Sequence, residues 1–187
     1  GYRYTHSANS LSRNIEGNRL WIKKALEKHT YSSVVALYDS AGLSEVARQW
    51  AIVLVATQRD DHVKALVELE KIIPAEEILD PDGPFPVPEN WRIAFHAGVL
   101  HILGENPVLA EKELRKAVTI DEEAPEGWNN LGVALYQNGR GKDARNCFER
   151  ALRLLPSYSD PQNNLESPKE CRCTRLPLRR HPSRSKY

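Results

Sequence analysis

The sequence predicts an all-α protein built from antiparallel helix pairs stacked one on the next. Three observations predict it. The second half carries an internal period of 34 residues, the first half places apolar residues at helical spacing, and no stretch alternates apolar and polar residues as a strand would. The period shows at independent places. Gly98 returns as Gly132, Ala110 as Ala144, Ala117 as Ala151, and Trp128-Asn129-Asn130-Leu131 is echoed by Gln162-Asn163-Asn164-Leu165.

Taken in order, Leu11 to His29 reads as a helix interrupted near Gly17. Tyr31 to Ala41 and Leu43 to Thr57 read as a helix pair around Gly42, with Tyr38 and Ala47 at plausible repeat sites. The apolar run Trp50–Ala56 is far shorter than the ~20 residues a membrane span needs, and is expected as a buried helix face. His62 to Ile73 is a further amphipathic helix, with Val63, Leu66, Leu69 and Ile73 on one stripe and Pro74 as its stop. Between Asp80 and Glu89 the prolines and a glycine forbid helix or central strand. Expected boundaries are therefore 1–79 for degenerate helical repeats, 80–89 for a connector, 90–166 for regular repeats and 167–187 for a disordered basic tail.

Within the regular part, 125–158 is the clearest unit. Gly132 and Ala144 lack bulk where two antiparallel helices cross, and Trp128, Leu131 and Phe148 fill the space around the crossing. Gly139 supplies the turn between the helices and Pro156 ends the second one. The unit at 91–124 keeps Gly98, Ala110 and Ala117, has Leu114 for the aromatic, and sets Pro107 in the first turn of its second helix after Gly104-Glu105-Asn106. The unit from Ser159 holds Asn163-Asn164-Leu165, then departs at Glu166 and breaks at Pro168, so one further helix is expected there.

The eight residues Trp128, Leu131, Gly132, Gly139, Ala144, Phe148, Ala151 and Pro156 make 125–158 resemble the tetratricopeptide repeat family, with Leu135 in place of the family's tyrosine and Tyr136 beside it. The resemblance implies a right-handed solenoid whose concave groove is lined by the first helix of each unit. It implies groove positions at Arg92, Phe95, His96, Val99, Ile102 and Leu103, then at Glu126, Asn129, Asn130, Val133, Tyr136 and Gln137, then at Asp160, Asn163 and Asn164. Family members that grip a C-terminal carboxylate use Lys and Arg at such sites. Here Arg92 alone is cationic, which disfavours that role. Asn130 and Asn164 occupy the same repeat site, and two readings stand: an amide ladder on the main chain of an extended peptide, or bonds between adjacent helices.

Signatures of chemistry are missing. The sequence has no phosphate-binding glycine loop, no H-E-x-x-H, no G-x-S-x-G and no paired C-x-x-C. His96 and His101 lie about 140° apart around a helix and share no metal-binding face. Asp60-Asp61-His62 reads as a helix N-cap, and Asp121-Glu122-Glu123 as a turn between repeats. Cys147 is expected as a small buried hydrophobe, and Cys171 with Cys173 forms a lone C-x-C with no second pair for zinc. No cofactor, no metal and no catalytic residue is expected.

Charge is uneven. Residues 169–187 carry +6 and the rest −5, within a total of +1. The tail's arginines interleave with prolines and almost no aromatics, so no specific nucleic-acid binding is expected. Cysteine usage and the lack of an apolar leader lead to the expectation of a cytoplasmic setting. The expected function is a non-catalytic scaffold that binds another protein, as a peptide segment or a helix, in the groove. Two further possibilities stand beside it. The absence of methionine leads to the expectation of a fragment, which would make this the repeat segment of a larger enzyme such as a glycosyltransferase. Self-association through uncovered end faces is the other.

Overall fold

The computed structural model describes residues 45–72 and 89–178, together with 33, 36 and 40. Residues 33, 36 and 40 are helical; the rest of the helices expected over 11–29 and 31–41, the connector over 80–88 and residues 179–187 lie outside the described residues. The chain divides into two compact units, 1–68 and 69–187. Among the described residues every regular element is helical.

In the first unit, α1 (Glu45–Gln58) is followed by α2 (His62–Leu69). The apolar run expected as a buried face is one: Trp50, Ala51, Val53, Val55 and Ala56 are all buried. Thr57 sits in that face because its hydroxyl donates back to Val53 O at 2.8 Å, which satisfies it without water. The turn into α2 places Asp60 at φ 57°, and Asp61 Oδ1 accepts from Lys64 N at 3.2 Å, the N-cap expected of this acidic pair. One expectation fails here. Val63 is 75% exposed while Ala65 and Leu69 are buried, so the buried stripe of α2 is turned away from Val63. The helix also ends at Leu69, where Ile72 N bonds to Leu69 O, several residues ahead of Pro74.

The second unit follows the 34-residue period. It comprises α3 (Glu89–Leu103), α4 (Pro107–Ile120), α5 (Pro125–Gln137), α6 (Gly141–Leu154) and α7 (Ser159–Glu166), closed by a 3-10 turn at Pro168–Glu170. Neighbours in the chain pack as neighbours in space: α3 on α4, α4 on α5, α5 on α6 and α6 on α7. A Cβ added at Gly98 would lie 2.4 Å from Leu114 Cγ, and one at Gly132 would lie 2.5 Å from Phe148 Cε1. The two glycines thus mark the crossings of α3 with α4 and of α5 with α6, where one large side chain fills the space each glycine leaves. Ala110, Ala117, Ala144 and Ala151, all fully buried or nearly so, complete those crossings from the other helix.

Punctuation follows the sequence closely. Pro107 stands in the first turn of α4, where Asn106 Oδ1 caps Leu109 N. Gly139 takes φ +78° in the turn before α6. Trp128 Nε1 donates to Glu122 O at 2.7 Å, pinning the turn between the repeats. Asn138 Nδ2 reaches Pro107 O at 3.1 Å and Glu111 Oε2 at 2.9 Å, and Arg140 reaches Glu111 at 2.7 Å, so the α5–α6 turn is stitched to α4. Burial pushes the Glu111 carboxyl up, but the bonds from Arg115 and Asn138 outweigh it and hold it below the usual range.

Candidate functional site

One face of α5 is polar yet sealed. Glu126, Asn129 and Asn130 stand at helical spacing i, i+3 and i+4, and all three are fully buried. Asn164 on α7 is 1% exposed. Buried amides of this kind require partners. The partners are supplied by the stretch after the 3-10 turn.

Residues 171–178 carry no helix, and they run across α7 and α5. Asn164 exchanges two bonds with the main chain of Arg172: Arg172 N donates to Oδ1 at 2.7 Å and Nδ2 donates to Arg172 O at 3.0 Å. Asn130 does the same for Thr174, whose N donates to Oδ1 at 2.7 Å and whose O accepts from Nδ2 at 2.8 Å. Asn129 lies between the two rungs. Its Nδ2 is within 3.2 Å of Arg172 O and 3.3 Å of Thr174 Oγ1, while its Oδ1 accepts from Asn164 Nδ2 at 2.9 Å. Further along, Leu178 N donates to Glu126 Oε1 at 3.2 Å.

The geometry has a simple metric. Asn130 and Asn164 are one 34-residue repeat apart, and the residues they hold are two apart. Two residues of extended chain span about 6.6 Å. One repeat of the array therefore matches one two-residue step of an extended peptide, and alternate residues meet equivalent amides. The bound segment runs against the order of the repeats. One repeat earlier the same site holds His96, which is 2% exposed, so the ladder stops at two rungs.

The side chains of the segment sort themselves accordingly. Cys171 and Cys173 pack against the apolar core of the repeats, and Arg172 between them is exposed. Burial pushes the Cys171 thiol up to about 11. Thr174 is 1% exposed.

The sequence profile of the family described as tetratricopeptide repeat matches residues 125–158, the α5–α6 pair whose crossing Gly132 and Phe148 form. Residues 125–158 are therefore a tetratricopeptide repeat. The chain's relatives include tetratricopeptide repeat protein 7B of Mus musculus, 48% identical over 75 residues, and that of Homo sapiens, 46% identical over 75 residues. Each match covers 40% of this chain and 8% of the relative, so the matched stretch is a small part of those longer proteins.

The residues expected in the groove separate into groups. Glu126, Asn129, Asn130 and Asn164 come together on the bound segment. Phe95, Val99 and Val133 are core residues, and Phe95 stacks on Trp91 with centroids 4.9 Å apart. His96 meets the Phe95 ring edge-on, and burial first, then Arg92, drives its imidazole down to about 3, so it is neutral. Arg92 and Tyr136 are half-buried, while Gln137 and Asn163 are exposed. Burial also lowers His101. Cys147 is buried, which pushes its thiol up to about 11. Among the described residues no three His, Cys, Asp or Glu side chains gather as a metal site would require, and no helix is long and apolar enough to cross a membrane.

Asn164 bonds Asn129 on α5 as well as the main chain of Arg172 in the same chain. Sequence reasoning missed Arg172, Thr174 and Tyr158 altogether. The tail expected to be disordered from 167 is instead a 3-10 turn followed, through 178, by this hydrogen-bonded segment. The physical reason is that Pro168 stops any second helix after α7, which leaves the amides of α5 and α7 for whatever chain follows.

Proposed function

We propose that this chain is a protein-interaction scaffold whose α5–α7 face holds extended peptide main chain through the amides of Asn130 and Asn164. The family to which the repeats belong supports a role in protein interaction. The single observation that carries the finer reading is the pair of two-bond rungs on Arg172 and Thr174. A carboxamide offers a donor and an acceptor side by side, the complement of one residue's N–H and C=O, so it reads main chain whatever the side chain. The segment 171–178 occupies this face in cis, and a partner's segment takes its place in trans by the same bonds.

A cis segment on a short tether competes at an effective concentration on the order of 1 mM. The test therefore weakens it first. Thr174→Pro deletes the N–H that Asn130 accepts, in the full chain. A fluorescent synthetic peptide with the sequence of residues 169–178 should then bind, read by anisotropy under reducing conditions. Adding Asn130→Ala and Asn164→Ala to that chain should weaken the peptide at least about tenfold, because buried main-chain groups lose their partners. Equal binding by both chains would refute the reading.

A further inference from the structure

Thr174 is held by more than its main chain. Its hydroxyl donates to Asp160 Oδ2 at 2.7 Å, receives Asn129 Nδ2 at 3.3 Å, and meets the Tyr158 hydroxyl. A threonine hydroxyl has one proton to give and two lone pairs to offer. With the proton directed at Asp160, both lone pairs are met by Asn129 and by Tyr158, so the hydroxyl is fully satisfied. Three elements converge on it: α5 through Asn129, the end of the α6–α7 turn through Tyr158, and the first turn of α7 through Asp160. Tyr158 is 5% exposed and Asn129 not at all, so this niche is built into the fold.

We propose that the niche is a side-chain subsite that selects an unmodified threonine or serine in the extended peptide the face binds. The proposal rests on the preceding reading that the asparagine rungs hold main chain, and it adds the chemical class of the ligand. Its partners are segments that place a free hydroxyl at the position of Thr174 and small apolar side chains one and three residues before it, where Cys173 and Cys171 lie against the core. Valine matches threonine in shape but takes the hydroxyl away from the Asp160 carboxylate and the Tyr158 phenol. A phosphothreonine sets a dianion against the Asp160 carboxylate. Phosphorylation of the ligand residue, on the partner or on Thr174 once the segment has left the face, therefore closes the site to that segment.

The test uses the Thr174→Pro full chain and four synthetic peptides of the 169–178 sequence, carrying threonine, serine, valine or phosphothreonine at position 174. Threonine and serine peptides should bind within about fivefold of each other. Valine should be weaker by about tenfold or more, since a site built for a hydroxyl rejects the analogue lacking it. Phosphothreonine should be weaker by about a hundredfold, and Asp160→Asn should narrow that gap by removing the like charge. Valine and phosphothreonine peptides binding within twofold of the threonine peptide would overturn the proposal while leaving the main-chain ladder standing. Failure of all four peptides to bind would instead sink the ladder reading beneath it, and the subsite with it.

Discussion

Asn130 and Thr174 lie 44 positions apart in the chain and share two hydrogen bonds, 2.7 and 2.8 Å long, between one side-chain amide and one main-chain residue. Asn164 repeats the arrangement on Arg172. The repeat period of the protein is thereby translated into the two-residue period of an extended chain, and the account of function grows from that match.

The crossings that set the helix spacing should be intolerant of a single methyl. Gly132→Ala pushes a Cβ into the Phe148 ring and Gly98→Ala pushes one into Leu114, so each should cost about 1–3 kcal/mol. Gly141, whose added Cβ would meet nothing within 4 Å, is the control, and Gly141→Ala should change stability by less than about 0.5 kcal/mol. Denaturant unfolding of the three variants checks the contrast.

Stability should also depend on pH through His96. Its folded-state pKa of about 3 lies below that of an unfolded histidine, so the unfolded chain binds more protons between those values. Stability is then fully present above about pH 6.5 and declines as pH falls towards 3, with a slope of at most about 1.4 kcal/mol per pH unit from this residue. His96→Gln should flatten the dependence between about pH 5 and 6.5, measured by denaturant midpoints. An unchanged slope in the variant would show that His96 is not the source.

Cysteine labelling reports on the bound segment independently. Burial raises both Cys147 and Cys171 to about 11, so both should alkylate slowly at pH 8. Asn130→Ala together with Asn164→Ala should release the segment and speed labelling of Cys171 about tenfold or more, with Cys147 unchanged. Mass spectrometry of the labelled peptides separates the two sites.

How much of this was legible follows from where each signal sits. The helix pairs of 91–158 were readable because a close crossing demands glycine or alanine at fixed places, and Gly98, Gly132, Ala110 and Ala144 mark them in the sequence. Asn130 and Asn164 were readable as a pair because the period superposes them. Their occupant was not readable. Prolines and arginines in 167–187 carry the composition of a solvated tail, and nothing in composition reports that a neighbouring helix presents two unmet amides. Phe95 and Val99 went the other way: their repeat positions imply the groove, and packing has taken them into the core. In α2, Val63 and Leu69 share a stripe on paper, yet only Leu69 is buried, because which stripe of a short helix is covered depends on its neighbours.

The central claim is that asparagine side chains hold the main chain at Arg172 and Thr174, and residue-resolved amide hydrogen exchange of the full chain tests it most directly. Arg172 and Thr174 amides should be protected, Asn164→Ala should lower protection chiefly at Arg172, and Asn130→Ala chiefly at Thr174, each by about thirtyfold for a loss of about 2 kcal/mol. Exchange at both amides at the rate of an unstructured chain, indifferent to either substitution, would contradict the account.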